Sequence, residues 1–233
     1  MKDEILLDCY TFHPDVYNNF KPDFGAKFIP QWWKDQVSHL PPRAKGYEPS
    51  STIKKCPAFV QYFIRGIVLP IWNDVSLHIT DDPKNPCEYH QDIKNGKKLE
   101  MYFDGSHKAD QFYGFAKDDG FNCKLSSPWK FVCDDNISFT MTQPLWSQRE
   151  TMSELQLLPA VISFYRQFAT DYNFFATRER GKRIITLKEN TPLAILHPMI
   201  DDHRKIKIKH HIIPFESWNS VHKDPKRPDP VRI

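Results

Sequence analysis

Glycine is scarce in this chain, with eight residues in 233. Neither GxGxxG nor the GxxxxGK pattern followed by Ser or Thr occurs. Those are the patterns in which glycine lets backbone N–H groups close on a phosphate, so a glycine-dependent nucleotide fold is disfavoured. The GxSxG turn that presents a nucleophilic serine is missing too. Five cysteines lie far apart at 9, 56, 87, 123 and 133, and no two form a CxxC pair. An odd, widely spaced set suggests reduced thiols in a cytoplasm and argues against a structural zinc site. No run approaches the ~18 apolar residues of a membrane span. The start, MKDEILLDCYTF, places acids where a secretory signal would carry its basic and apolar regions. Charge of one sign is also lacking: the net value is +3, which permits nucleic acid but does not demand it.

Aromatic residues and proline are plentiful. Phe, Tyr and Trp make up 14% of the chain, and there are 19 prolines. With 40% hydrophobic and 26% charged residues, a sizeable core is expected and global disorder is not. Many prolines and few glycines point to stiff turns between short elements, not to a helix bundle.

Residues 52–72, TIKKCPAFVQYFIRGIVLPIW, organise the chain. Pro57 suits the first turn of a helix. Phe59, Val60, Phe63 and Ile64 then recur at helical spacing, and Gly66 suits a C-terminal residue of positive φ. Residues 67–71 are too short for another helix and predict a buried strand. Residues 29–34, IPQWWK, predict a short helix or turn whose paired tryptophans plug the core or meet a partner. Residues 4–12, 74–80, 97–104, 111–115, 158–165, 172–177, 183–188, 193–196 and 205–213 predict strands. Residues 129–133 and 137–142 alternate about Asp134-Asp135-Asn136 and predict a hairpin. In 205–213 Lys205, Lys207 and Lys209 alternate with isoleucines, the pattern of a solvated or edge strand. The fold class that follows is mainly β: a jelly-roll or β-sandwich-like single domain over residues 1–215, with a short N-terminal helical unit. A Pro-rich, basic C-terminal tail follows over 216–233.

Chemistry is sparse. His90-Gln91-Asp92 forms an HxD pair, which with a distal His (His197, His203, His210 or His211) would give the two-imidazole, one-carboxylate set of an iron oxygenase; Arg204 could hold a 2-oxo acid. The Asp pairs at 81–82, 118–119, 134–135 and 201–202 fall in expected turns, which explains them without catalysis. Residues 204–233 hold eight basic against three acidic residues, a net +5 that leaves −2 for the remainder. Such a basic end suits an acidic partner or a solvated face; nucleic acid is not favoured, because no recognition helix or stacking motif accompanies it.

Four blocks in order carry a resemblance: AKFIPQWWK (26–34), TIKKCPAF (52–59) with IVLP (67–70), SPWKF (127–131) and ENTPLAILHP (189–198). Together they resemble a family of tailed-phage proteins of uncharacterised function, common in marine phages, over roughly residues 1–215. The resemblance implies a phage-encoded, mainly β protein and supplies no catalytic residues. Within it, Ala169-Thr170-Asp171-Tyr172-Asn173 followed by ENTPLAIL looks like the closing strands of the dUTPase-like jelly roll. Arg166 and Phe168 stand where small residues would be expected there, so this likeness implies a fold and not the pyrophosphatase activity.

The expected function is accordingly non-enzymatic: a virion-associated or accessory phage protein acting through protein–protein contacts, with no cofactor or metal. Its partners would be other phage structural proteins or a host protein, in a homo-oligomer or symmetric assembly, in the host cytoplasm during infection or in the virion. Exposed aromatic anchors at Trp32, Trp33, Trp146 and Trp218, with Lys205, Lys207 and Lys209, are the expected contact residues. The competing expectation is a jelly-roll enzyme, either the iron oxygenase or a nucleotide binder with Asp171 in a polar cleft.

Overall fold

The computed structural model describes residues 4–41, 50–80, 87–91, 120–146, 155–165, 169–177, 184–200 and 204–221. In chain order the elements are β1 (Glu4–Thr11), α1 (Pro14–Asn19), β2 (Asp23–Phe24), α2 (Gln31–Asp35), β3 (His39–Leu40), β4 (Ser50–Ser51), α3 (Pro57–Arg65), β5 (Ile67–Pro70), β6 (Val75–Ile79), β7 (Cys87–Gln91), β8 (Gly120–Cys133), β9 (Phe139–Thr142), β10 (Leu155–Leu157), β11 (Ala160–Ile162), β12 (Ala169–Thr177), β13 (Ile184–Leu187), β14 (Pro192–Pro198), β15 (Lys205–Ile212) and α4 (Phe215–Trp218). The fold is mainly β and sandwich-like. The strands expected at 97–104 and 111–115 lie outside the described residues.

Two five-stranded sheets carry the architecture, one in the order β10-β12-β8-β1-β15 and the other β11-β9-β14-β5-β2. A third, β13-β6-β7, extends the same core, and β3 pairs with β4 alone. Alternation fixes which faces meet. In β1, Ile5, Leu7 and Cys9 are buried while Glu4, Leu6 and Asp8 face outward. They join Leu125 and Phe131 of β8, Phe139 and Met141 of β9, and Leu196 of β14 in one core. Phe164, in the turn after β11, bridges the layers: its ring centroid lies 5.0 Å from Phe131 and 5.2 Å from Phe139. Each such side chain withdrawn from water contributes roughly 1.5–3 kcal/mol.

The unbroken apolar runs have a different cause. Ile67, Leu69 and Leu196 face the first sheet, whereas Val68 and Ile195 point the other way into a second cluster with Trp33, Phe63 and Trp146. The helical unit α2–α3 supplies that cluster, so β5 and β14 are covered on both faces and need no polar alternation. α3 begins at Pro57, whose missing N–H costs nothing at the first helical position. Its expected apolar face is divided: Phe59, Tyr62 and Phe63 pack inward, while Val60 (38% exposed) and Ile64 (53%) face solvent. Gly66 differs from expectation as well. Its backbone is extended, at φ −76° and ψ 142°. A Cβ there would abut Ile195 and lie 2.7 Å from the Tyr62 carbonyl oxygen and 2.8 Å from His197 Nε2. Close approach, not positive φ, requires this glycine.

The hairpin expected at 129–142 does not form. β8 pairs with β1 and β12, whereas β9 pairs with β14 and β11 in the opposing sheet. The Asp134–Ser138 segment is therefore a corner that carries the chain from one sheet to the other. Alternation along a strand reports which face is buried but not which strand lies beside it. β15 runs parallel to β1 at the end of its sheet, with Lys205 opposite Glu4 and Lys209 opposite Asp8. The packed body continues past residue 215, through α4 and the buried Trp218. Among the described residues, no helix is long and apolar enough to cross a membrane.

Candidate functional site

The expectation that four tryptophans are exposed anchors is corrected by their burial. Trp33 (5% exposed) stands 5.0 Å, ring to ring, from Phe63 and 5.8 Å from Phe59. Trp146 (4%) packs on Phe63 and Tyr62 in the same cluster, and its indole N–H has no hydrogen-bond acceptor among the described residues. Trp218 (9%) packs edge-on against Phe12. Trp32 is half-buried beside Trp33. Large rings dominate burial, and these fill the layer between helices and sheet. Trp33 thus plugs the core, and Trp32 sits at its margin.

His90 of the HxD pair falls on the third sheet. His90 is half-exposed on β7, its ring 3.9 Å from that of His78 and its Nε2 3.7 Å from Glu88. Asp92 and the distal candidate His203 lie outside the described residues. The other distal candidates are held elsewhere. His197 Nε2 meets the Tyr62 carbonyl at 2.9 Å, His210 Nε2 the Pro22 carbonyl at 2.8 Å, and His211 Nε2 the Asp8 carboxylate at 2.6 Å. Burial pushes the pKa values of His197 and His210 below the ordinary imidazole value; in each, the bond to a carbonyl opposes the shift. Among the described residues, no group of three or more His, Cys, Asp or Glu side chains is placed to hold a metal ion.

Asp171 accepts a hydrogen bond from Ser126 Oγ at 2.7 Å and pairs with Lys124 at 3.0 Å, so its charge is neutralised on the sheet face. The five cysteines are free thiols. Burial raises Cys9 and Cys123 well above the usual thiol range and pushes Cys87 up to about 12, assisted by Glu88, which leaves these three protonated and unreactive.

A concave site does exist, at the open edge of the sandwich. β2 ends one sheet and β15 ends the other, and between them lies a cleft of about 590 Å³. Phe24, Ala26, Ile64, Pro198, Ile200 and Ile206 supply apolar lining. Phe24, Ile200 and Ile206 also pack against the main core, which fixes the floor. Four cations line the same space: Lys27, Arg65, Arg204 and Lys205. Lys27 pairs with Asp23, and Arg204 Nη1 with Asp135 Oδ1 at 2.8 Å. Arg65 reaches over from the last turn of α3 and donates from Nη2 to the Ile200 carbonyl at 3.2 Å. Lys205 projects from the exposed face of β15.

Of the expected contact lysines, Lys205 alone lines this cleft. Lys207 pairs with Glu4 at 3.4 Å, and Lys209 lies further along the same exposed face. Arg204, singled out as an acid-holding residue, is also in the lining, next to β15 of the first sheet, whereas His90 lies on β7 of the third. Sequence reasoning missed Lys27, Ile64 and Arg65. They come from separate elements joined only by tertiary packing, and no local spacing announces such a site.

The fold and cleft define a β-sandwich with a ligand-sized concavity at its open edge. Comparison with known proteins finds no matching family model, no matching curated protein and no matching solved structure.

Proposed function

We propose that this chain is a non-enzymatic phage protein, virion-associated or accessory, that works through protein–protein contacts in a repeated assembly. The observation that carries the proposal is the outward apolar surface of the helical unit. Val60 and Ile64 lie one helical turn apart on the solvent side of α3, and Ile53 precedes them in an adjoining 3-10 turn. Val37 is exposed close by, its carbonyl accepting the Thr52 hydroxyl. Beneath them the aromatic cluster holds the helix rigidly, which lowers the entropic cost of presenting that surface to a partner. Clustered exposed apolar residues on a rigid support are the usual mark of an interface.

Interface anchoring therefore moves from the buried tryptophans to these aliphatic residues. The partners in this proposal are further copies of the chain, with other phage structural proteins or a host protein completing the assembly. It acts in the host cytoplasm during infection or in the virion.

Sedimentation across micromolar concentrations tests the proposal. The wild type is expected to self-associate, and Ile53→Glu with Val60→Glu to yield a monomer of unchanged melting temperature. A wild type that stays monomeric throughout, and whose mass is unchanged by phage structural proteins, would overturn it.

A further inference from the structure

We infer that the cleft between β2 and β15 is a binding site for a small amphipathic carboxylate, an acid group on an alkyl or aryl body. The volume of about 590 Å³ falls within the range of small-molecule sites. Six apolar side chains form much of its surface, so the body of the ligand must be apolar; a sugar or nucleobase would bury polar groups against partners that cannot bond them.

Charge fixes the other end. Of the four lining cations, Lys27 and Arg204 already face the carboxylates of Asp23 and Asp135. Arg65 and Lys205 have no carboxylate partner among the described residues, which leaves two positive charges at the rim. Arg65 is held by the Ile200 carbonyl through one Nη, and its remaining N–H groups are suited to a planar carboxylate. Its position at the end of α3 joins the rim to the helical unit, while Lys205 joins it to β15. A cationic ligand is repelled by the same arrangement. A polyphosphate would require more uncommitted donors than these two side chains supply. The chain's own last twelve residues, with Lys223, Lys226, Arg227 and Arg232 against Asp224 and Asp229, are a poor match in sign.

The binding free energy comes chiefly from the apolar floor, because exposed ion pairs are weak in water. The cations select which head group is tolerated. The site adjoins the self-association surface at Ile64, but Ile53 and Val60 lie outside its lining, so a protein made monomeric by Ile53→Glu with Val60→Glu keeps the cleft intact and separates the failure of one reading from that of the other.

Calorimetric titration of the full chain with decanoate, below its micelle concentration, tests the inference. Saturable, stoichiometric binding is expected, with decyltrimethylammonium binding at least roughly tenfold more weakly. Arg65→Gln combined with Lys205→Gln should weaken decanoate roughly three- to thirtyfold, and Ile64→Asp, at an exposed position that tolerates change, should weaken it at least as much. The inference is overturned if decanoate shows no saturable binding, if the two amphiphiles bind equally, or if folded variants retain wild-type affinity.

Discussion

Lys130 Nζ donates to the Trp218 carbonyl at 2.7 Å and stands 4.5 Å from the centre of the Trp218 ring. Lys130 projects from β8, opposite Tyr10 of β1, on the face turned away from the core. One side chain thus pins α4 to the outer face of the first sheet. Burial lowers its pKa, yet the carbonyl and the indole face both reward the ammonium form. Lys130→Met should cost about 1–3 kcal/mol. Hydrogen exchange at residues 215–221 should accelerate well before the sheets open. Unchanged protection there would show that α4 is held by Trp218 packing alone.

Gly66 is where helix and strand come closest. Gly66→Ala places a methyl group against the Tyr62 carbonyl and the His197 ring, with Ile195 also in the way. The carbonyl belongs to the α3 backbone and cannot rotate aside. Overpacking of this kind costs about 1–3 kcal/mol, and the melting temperature should fall by several degrees. Gly66→Ala with Ile195→Val should recover part of the loss, because the shortened side chain removes one of the three contacts. A single variant as stable as wild type would show that the helix end shifts freely.

Much of this fold is legible in the sequence because burial is periodic. The strands expected at EILLDCYT, KIKIKHHI, IVLP and LAIL all form, and the lysine face of KIKIKHHI is the exposed one as far as Lys209, after which Ile212 is exposed against the alternation. Pairing is another matter. The corner after Cys133 reads as a hairpin because its alternation would look the same in either arrangement, and only the opposing sheet decides. The exposed residues on α3 were equally hidden. Val60 and Ile64 are as apolar as Phe59 and Phe63, and helical spacing cannot say which of two adjoining stripes meets the sandwich. The cleft is assembled from β2, α3, the end of β14 and the start of β15. Its residues are far apart in sequence, and its lining has meaning only after the edges meet.

Two half-buried imidazoles give stability a definite pH dependence. His197 and His210 have folded pKa values below their ordinary value near 6.5, with burial as the largest cause in each. Between the depressed and ordinary values the unfolded chain binds more protons than the folded chain, so stability rises with pH there. The contribution is complete above about 6.5 and is lost as pH falls through that value and on through the folded pKa. Urea midpoints should therefore drop between neutral and mildly acidic solution. His210→Asn should flatten that slope while lowering stability at neutral pH. A midpoint insensitive to acid over this window would contradict the buried, neutral assignment.

The paired tryptophans should separate cleanly on substitution. Trp33 fills the layer between α2, α3 and β5, so Trp33→Ala should cost about 3–5 kcal/mol and broaden or abolish cooperative unfolding. Trp32, half-buried at the margin of that layer, should cost less than half as much. Equal losses would mean that the cluster behaves as one unit and that neither ring has a margin role.

Iron loading decides between a binding protein and an oxygenase. A facial triad requires a second imidazole beside His90 and Asp92 with open positions on the metal. Among the described residues the imidazole against His90 is His78, diagonal to it on the neighbouring strand, and both rings lie on one face of a small sheet. His197, His210 and His211 each bond through Nε2 to a protein oxygen at 2.9 Å or less, which leaves only Nδ1 of each ring for a metal. The protein loaded with ferrous iron without oxygen, then desalted, should retain substoichiometric metal, and His90→Ala should change that little. Stoichiometric iron that disappears in His90→Ala, and persists in His78→Ala, would place the third ligand outside the described residues and make the oxygenase the better reading.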